Sequence, residues 1–408
     1  MRKITTKIAL CLFLLFFALL YSGGTKYLHA EKLNDLHNYI GNKDAIIVAD
    51  PQGRIIFSKN KNRQLIPAST LKILTSLVAL HNLGPEYRFV TEFYRDQHSN
   101  LKIKGYGDPL LISELLGELV NDLVIRIDFE FSEINDVVLD DTYFMSPTII
   151  PGISSSYEPY DAPNGALCVN FNTVNFKRNS YGNYISAELQ TPLLPFVLER
   201  IKQSKMAKGR ILLSHKKNEM TLYTGHLLRH FLNKWGIKPK GSFRISMVQK
   251  DVDKLIFRYV SRFTLAQIIS KLLEHSNNFV ANQLLIASGA KTYGSPGTLA
   301  KGIRTALDYT KNVLKIDEIQ IVEGSGISRK NRISAVNLYK ILKAFEPYHY
   351  LMKKKDRAFY KTGTLYGVNT LAGYIENSKG ELYRFVVLIN TPGKSSRPVM
   401  DILLRNIE

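Results

Sequence analysis

The segment Ile66-Pro67-Ala68-Ser69-Thr70-Leu71-Lys72-Ile73-Leu74-Thr75 separates a strand-like region of the sequence from a helical one. Before it, two short apolar runs at residues 45–50 and 54–59 flank Pro51-Gln52-Gly53, a pattern that predicts a β-hairpin. After it, apolar residues recur at helical spacing until Asn82-Leu83-Gly84-Pro85 ends the run. We therefore expect Ser69 to lie in the first turn of a buried helix that follows a hairpin.

Ser69 and Lys72 are three residues apart, so on a helix their side chains project from the same face. A serine hydroxyl is a poor nucleophile until a base takes its proton, and a desolvated lysine can be that base. A helix N-terminus also favours developing negative charge. A helix cap with a solvated lysine nearby is the alternative interpretation of Ser69. The same Ser-x-x-Lys spacing recurs at Ser58–Lys61, Ser99–Lys102, Ser214–Lys217 and Ser288–Lys291.

The composition is that of a globular protein with a large core. The chain has 408 residues, of which 45% are hydrophobic and 22% charged, enough for more than one domain. Its 2 cysteines are Cys11, inside an N-terminal apolar run, and Cys168. Removal of that run would leave no pair for a disulfide. No Cys/His cluster has the spacing of metal ligands, so we expect no metal and no other cofactor.

The first thirty residues have the pattern of a targeting segment. Arg2, Lys3 and Lys7 precede a 14-residue apolar run at residues 8–21, which is short for a bilayer-spanning helix. The pattern predicts a secretory signal over residues 1–30, cut near Gly23 or Ala30. An uncleaved N-terminal anchor is the alternative. The mature protein is thus expected in the periplasm or on the outer face of the cytoplasmic membrane.

The net charge is strongly positive. It is +20 for the whole chain, and loss of the four basic residues of the targeting segment lowers it to +16. Such a surface favours polyanions, and with an export signal we rank an anionic cell-envelope surface above nucleic acid. The basic residues are dispersed and form no recognisable nucleic-acid module, so we expect no nucleic-acid partner. The sequence leaves the oligomeric state open.

Three regions along the chain differ in their pattern of predicted helices and strands. Residues 31–105 contain the hairpin, the Ser69 helix and two further strands. Residues 106–254 show short alternating strands and turns, with one amphipathic helix at residues 222–235, and we expect a β-rich inserted domain there. Its strands are predicted at residues 136–139, 166–171, 184–189 and 210–214.

From residue 255 onward the pattern resembles that of the first region. Helices are predicted at residues 265–274, 298–314 and 335–345, sheet-like runs at 359–362, 370–376 and 382–390, and a last helix at 397–407. Consecutive hairpins favour antiparallel pairing. We expect one discontinuous domain of residues 31–105 and 255–408, in which the N-terminal hairpin pairs with three C-terminal strands and helices cover the sheet. The predicted fold class is α+β.

Two further short motifs follow Ser69 in the chain. Ser276 and Asn278 lie on a tight connection between two predicted helices, where a capping serine and a turn asparagine are the alternative interpretation. Lys361-Thr362-Gly363 occurs once, on a predicted strand, and Gly363 suits close approach of a ligand to the backbone. A lysine at a sheet edge commonly discourages edge pairing; beside a Ser-Lys pair it supplies a cation for a substrate carboxylate.

Ser-x-x-Lys, Ser-x-Asn and Lys-Thr-Gly, in this order and these contexts, resemble the signature set of penicillin-binding proteins and serine β-lactamases. Four more segments resemble the D-Ala-D-Ala carboxypeptidase/endopeptidases with a large insertion, the class C low-molecular-mass penicillin-binding proteins. The resemblance covers roughly residues 38–405 and implies that family's antiparallel sheet flanked by helices. The four segments are Gly107–Pro109, Val138–Phe144, Ala162–Leu167 and Glu323–Arg329.

The resemblance implies acyl transfer on peptidoglycan stem peptides, with β-lactam antibiotics as acylating ligands. Ser69 would attack the carbonyl between two D-alanines or of a D-Ala–diamino-acid cross-link, and Lys72 would take its proton. Ser276 would pass a proton to the leaving amine. Asn278 would hold the substrate amide, and the segment Lys361-Thr362-Gly363-Thr364 would fix the terminal carboxylate and, with the N–H of Ser69, form an oxyanion hole.

In relatives, residues of the insertion and of the Gly-Ser-Gly element hold the diamino acid of the stem. Asp140, Phe144 and Arg329 match that pattern, whereas Tyr366 replaces the usual Gln and Glu323 replaces the usual Asp. A turn role for Asp140 and a surface role for Arg329 are the alternatives.

Two other functions fit the same motifs. A β-lactamase would need a carboxylate that activates water for rapid release of the penicilloyl group, and none is identified in the sequence. A non-catalytic, exported wall-binding scaffold would rely on the basic surface and the insertion instead of Ser69.

Overall fold

The computed structural model describes residues 33–130 and 132–407. The targeting segment predicted at residues 1–30 lies outside them. No helix among the described residues has the length and apolar composition needed to cross a bilayer.

Helices and strands both occur along the whole described chain. The α-helices are α1 (Leu36–Tyr39), α2 (Lys72–Leu83), α3 (Ser113–Glu130), α4 (Leu198–Ser204), α5 (Glu219–Lys234), α6 (Leu265–His275), α7 (Asn278–Tyr293), α8 (Leu299–Asn312), α9 (Ala335–Phe345) and α10 (Arg397–Asn406). The strands are β1 (Asp44–Ala49), β2 (Ile55–Lys59), β3 (Gln64–Leu65), β4 (Val90–Arg95), β5 (Leu101–Gly105), β6 (Val137–Asp140), β7 (Thr173–Arg178), β8 (Tyr184–Ser186), β9 (Lys208–Leu212), β10 (Phe243–Ile245), β11 (Lys254–Val260), β12 (Ile333–Ser334), β13 (Lys354–Lys355), β14 (Ala358–Leu365), β15 (Val368–Glu376) and β16 (Leu382–Ile389).

The chain forms two compact units. Among the described residues, the first unit comprises residues 33–70, 333–350 and 354–407, and the second comprises residues 71–130, 132–332 and 351–353. Residues 71–105 and 255–332 thus group with residues 106–254. The boundaries of the predicted insertion, 106 and 254, stay a prediction.

The first unit is built on a six-stranded sheet in the order β13-β14-β15-β16-β1-β2, with every neighbouring pair antiparallel. The N-terminal hairpin therefore pairs with the C-terminal strands, as predicted, through β1 and β16. Apolar side chains of one face pack with α1 and α10 in a closed core, and α9 packs on β1 and β16. The prediction of an α+β fold with an antiparallel sheet and flanking helices is confirmed.

The second unit has a five-stranded mixed sheet, β10-β6-β5-β4-β11, and a three-stranded sheet, β8-β7-β9. Its core contains the apolar face of α3, including Leu115, Leu119 and Leu123, packed near α5 and β11. In addition, α2 packs against α6 and α7. Helix α2 is buried over most of its length because its apolar residues face this helical layer.

Two predictions for residues 106–254 were wrong in detail. The segment contains three helices, α3, α4 and α5, where one was predicted. The 18-residue helix α3 was missed although its leucines recur at helical spacing. The strand predicted at residues 166–171 is absent because Asn170, Phe171 and Asn172 have φ values of 55°, 59° and 54°, and left-handed backbone is incompatible with a strand.

Candidate active site

Ser69 lies in a 3₁₀ turn, Ala68–Leu71, that immediately precedes α2, so the regular α-helix begins at Lys72 and not at the serine. Ala68 has φ of 48°, a left-handed conformation that a side chain rarely adopts. The Thr370 hydroxyl donates a hydrogen bond to the Pro67 carbonyl at 2.8 Å, which ties this turn to β15. Ser69 is half-buried.

Gly363 of β14 lies against the same turn. A Cβ atom at this position would be 2.8 Å from the backbone nitrogen of Ser69 and 2.3 Å from Oγ1 of Thr370. Real Cβ atoms do not approach so closely, and both neighbours are fixed, so the position needs glycine. The missing side chain brings the backbone of β14 next to the Ser69 N–H group.

Lys361, two residues before Gly363, is buried with only 3% of its surface exposed. Its ammonium donates a hydrogen bond to the Thr362 carbonyl at 2.9 Å. Burial lowers the pKa of Lys361 to about 8. Thr362 and Thr364 alternate with Lys361 and Gly363 along the strand, and both are exposed.

Lys72 belongs to the second unit, where its side chain is fully buried. The ammonium group donates to Oδ1 of Asn278 at 2.8 Å and to the carbonyl oxygen of Ser325 at 2.7 Å. The structure therefore brings together two of the predicted site residues, Lys72 and Asn278, which are 206 positions apart in the sequence. A solvated lysine beside a helix cap, the alternative interpretation, does not describe this side chain.

Ser276 and Asn278 lie, as predicted, on the connection between α6 and α7. Ser276 ends α6 with φ of 57°, and Asn277 caps α7 by accepting the backbone N–H of Val280. The Asn278 amide donates to the Tyr160 carbonyl at 3.2 Å while its oxygen accepts from Lys72. The tight connection thus fixes Asn278, and Ser276 beside it is half-buried.

The loop that carries the Ser325 carbonyl is organised by Glu323. This fully buried carboxylate accepts hydrogen bonds from the backbone N–H groups of Ser325 and Gly326 at 2.6 and 2.8 Å, and from the Asn331 amide at 2.6 Å. Ser325 was not predicted as a site residue. Ser325 contacts Lys72 through its backbone oxygen, which any residue type could supply. The only feature of the sequence that pointed to this loop was the Glu-Gly-Ser-Gly segment.

Asp140 and Phe144 are used inside the second unit. One carboxylate oxygen of Asp140 accepts from Lys104 at 2.6 Å and the other from the N–H and hydroxyl of Thr142. Burial alone would raise the pKa of Asp140, but these hydrogen bonds outweigh it and hold the pKa below its usual value. This is the geometry of a turn residue, the alternative weighed above.

Phe144 is likewise buried, with its ring against Gly107. Arg329 is exposed, and its carbonyl accepts from the Arg332 side chain. The role of Asp140, Phe144 and Arg329 in holding a diamino acid stays a prediction. Among residues 33–130 and 132–407, no group of three or more His, Cys, Asp or Glu side chains is arranged to hold a metal ion.

Comparisons with known proteins cover most of the chain. The family model described as D-Ala-D-Ala carboxypeptidase 3 (S13) matches residues 29–209, 201–352 and 345–407. A D-alanyl-D-alanine carboxypeptidase of Actinomadura sp. (strain R39) is 24% identical over 431 residues, which cover 88% of this chain and 79% of that protein.

Two solved structures share the fold. Penicillin-binding protein 4 of Haemophilus influenzae superposes with a TM-score of 0.73 at 20% identity, over 92% of this chain and 98% of that one. A penicillin G-acylated predatory endopeptidase of Bdellovibrio bacteriovorus superposes with a TM-score of 0.52 at 17% identity, over 89% and 91% of the two chains.

Proposed function

Because the chain belongs to the D-Ala-D-Ala carboxypeptidase 3 (S13) family, we propose that it hydrolyses the bond after a D-alanine in peptidoglycan stem peptides, with Ser69 as the nucleophile. The chain is a serine peptidase of the D-alanyl-D-alanine carboxypeptidase class. Such an enzyme forms an acyl-serine with loss of the leaving amine, and water then hydrolyses the ester. A β-lactam acylates the same serine.

Lys72 is proposed as the base that takes the Ser69 proton. A neutral amine has two N–H donors and one lone pair, and the oxygens of Asn278 and Ser325 are placed to receive those two donors. Only two residues separate Ser69 from Lys72 in the chain.

Ser276 and Asn278 are proposed to act on the two sides of the scissile amide. The Ser276 hydroxyl would return a proton to the leaving nitrogen, because expulsion of an unprotonated amine is unfavourable. The Asn278 amide would exchange its long 3.2 Å bond to the Tyr160 carbonyl for one to the substrate. Its oxygen stays on Lys72, so the same residue orients both the base and the substrate.

The observation that carries the proposal is the approach of β14 to the backbone nitrogen of Ser69 at Gly363. It supports an oxyanion hole formed by the N–H groups of Ser69 and Thr364. Two preorganised backbone donors stabilise the charge that develops on the attacked carbonyl oxygen, by roughly 2.7–4 kcal/mol for each donor. A helix cap alone would not require glycine on the neighbouring strand.

Incubation with purified muropeptides tests the function. We expect loss of one D-alanine from pentapeptide monomers, splitting of cross-linked dimers, or both, when the products are weighed by mass spectrometry. Prior treatment with penicillin should stop each reaction, since it occupies Ser69. Unchanged muropeptides would contradict the proposed function, and rapid turnover of penicillin would favour a β-lactamase instead.

The charge of Lys361 predicts how kcat/KM for carboxylate-bearing substrates depends on pH. Its pKa of about 8 means that the side chain is a cation below that pH and loses its charge as the pH rises through it. We therefore expect the ratio of kcat/KM for a substrate with a free carboxylate to kcat/KM for a neutral ester to fall between about pH 7 and about pH 9. The parameter kcat/KM is the one to measure because its pH dependence reports the groups of the free enzyme. Lys361→Ala should lower the same ratio at neutral pH. Equal losses on both substrates would refute the role of Lys361.

We also propose that the mature protein is exported and contacts the anionic cell envelope. The support is the N-terminal targeting pattern and the net charge of +16 that remains without it. Within the second unit, Lys177 and Lys208 stand directly opposite each other on β7 and β9, and both are exposed. Added salt should release the protein from isolated wall sacculi; salt-insensitive binding would count against this partner.

A further inference from the structure

The three-stranded sheet β8-β7-β9 of the second unit places two like charges next to each other. Lys177 of β7 stands directly opposite Lys208 of β9, and both side chains are exposed. Neither forms an ion pair with a residue of the described part of the chain. Like charges directly opposite each other on antiparallel strands are destabilising, so this arrangement costs stability unless an anion lies over it.

The chain around this lysine pair contains few carboxylates that could balance it. Residues 162–187 and 200–218 contain no Asp or Glu. Of the two acidic residues between those segments, Glu188 pairs with Arg210, and Glu199 accepts a hydrogen bond within α4. Three more exposed basic side chains lie in the acid-free segments: Arg178, Lys202 and Lys205. The sheet and the turn before β9 therefore concentrate positive charge, which attracts an anionic surface.

Apolar side chains follow one edge of the same sheet. Tyr181, Ile185 and Leu189 lie before, in and after the edge strand β8, and all three are exposed. Ile185 stands directly opposite Lys177, so it forms one row across the sheet with the two lysines. Single exposed apolar residues are ordinary. A line of them beside a basic cluster is instead the pattern of proteins that lie on anionic bilayers.

The turn between β7 and β8 holds Tyr181 in place. The side-chain oxygen of Asn179 accepts the backbone N–H groups of Tyr181 and Asn183, each at 3.0 Å. The tyrosine is nevertheless 87% exposed. A side chain presented by an ordered turn loses little conformational freedom on binding. Tyrosine is also one of the residues enriched at the level of the lipid head groups.

We propose that the sheet β8-β7-β9 docks on an anionic lipid bilayer, with Tyr181 and the apolar edge in the head-group region and the lysines paired with lipid phosphates. The inference rests on the proposed export and envelope contact, for which it names a partner and a surface. A wall polyanion would pair with the lysines but would offer the exposed apolar side chains nothing apolar to enter. Docking on lipid retains a mature chain at the outer face of the cytoplasmic membrane after loss of the targeting segment.

The test is co-sedimentation with lipid vesicles of a protein that begins at residue 31 and therefore lacks the N-terminal apolar run. Vesicles of phosphatidylcholine with about one third phosphatidylglycerol should bind it about tenfold or more tightly than phosphatidylcholine alone. Lys177→Glu/Lys208→Glu should remove most of this preference. Tyr181→Ser/Leu189→Ser should weaken binding to the anionic vesicles about fivefold or more, because less apolar surface leaves water. Penicillin labelling of both variants should equal that of wild type.

Tryptophan fluorescence distinguishes insertion from adsorption. The chain has one tryptophan, Trp235, so Trp235→Phe/Tyr181→Trp places a single reporter in the β7–β8 turn. On anionic vesicles its emission should shift to shorter wavelength and be quenched by lipids that carry bromine in their acyl chains. An unshifted and unquenched reporter on bound protein would show that the turn stays in water, which would overturn the proposal.

The matched control is Lys291→Glu/Lys311→Glu, which reverses two exposed charges of the second unit on α7 and α8. Its binding to anionic vesicles should stay within about twofold of wild type. A loss as large as that of Lys177→Glu/Lys208→Glu would be an effect of net charge alone and would overturn the assignment to this sheet. Retention on wall sacculi without binding to anionic vesicles would also overturn it and would make the wall the partner. Failure of the proposed enzymatic function is distinct, because it shows as unchanged muropeptides whatever the vesicles bind.

Discussion

Replacing Ser69 with alanine should eliminate covalent labelling by a fluorescent penicillin and lower the release of D-alanine by about 10⁴-fold or more. The hydroxyl is the atom that forms the acyl ester, so no neighbouring group can replace it. Folding should be unaffected, because Ser69 is only half-buried and the turn is held by backbone and Thr370 contacts. Labelling in gels and the thermal midpoint would be measured on the same preparations.

The matched control for this variant is Ser58→Ala. Ser58 also precedes a lysine by three residues, but it lies in β2. Labelling of this variant should equal that of wild type. A Ser69→Ala protein that still becomes labelled would indicate another nucleophile. A Ser69→Ala protein that keeps its full biological effect would favour a non-catalytic scaffold.

Lys72→Met should have the second largest effect. Methionine has nearly the shape of lysine without its amine, so acylation by penicillin should slow by about 10²–10⁴-fold through loss of the base. The oxygens of Asn278 and Ser325 would lose a buried donor, which should cost about 1–3 kcal/mol of stability. Stopped-flow acylation and chemical unfolding would measure the two effects separately.

Lys291→Met provides the comparison. It removes the lysine of another Ser-x-x-Lys match, on α7, where the side chain is exposed. Acylation and stability should both stay at wild-type values. If Lys72→Met were acylated at the wild-type rate, Lys72 would be a structural residue of the buried helix and the base would have to be sought elsewhere.

The sheet of the first unit could be predicted because its signals are local. Alternating apolar residues and the turns Pro51-Gln52-Gly53 and Asn377-Ser378-Lys379-Gly380 define strands and hairpins within a few residues. Helix α3 has an equally local signal, because its leucines recur at helical spacing. The false strand at residues 166–171 is different, because its end has left-handed backbone at Asn170 and Phe171; asparagine adopts this conformation more readily than most residues, so Asn170 argued against a strand there.

Some features of the candidate site could likewise be predicted from the sequence, and others depend on the fold. Ser69, Lys72, Asn278 and Lys361 belong to short motifs, so their identities were available from the sequence. The acceptor on Ser325 is a backbone carbonyl, and a backbone atom has no residue type to recognise. The ion pair of Asp140 with Lys104 follows from their direct pairing on the parallel strands β5 and β6. Such a register depends on long-range packing and is not encoded in the spacing of the two residues.

Mass spectrometry of the penicillin-treated protein tests the acyl-serine mechanism most directly. Trypsin should release residues 64–72 as one peptide, and Ser69 is the only serine in it. We predict that the intact protein gains the mass of one penicillin and that this peptide carries the addition at Ser69. A protein that gains no mass, or an addition on any other peptide, would contradict the assignment of Ser69 as the nucleophile.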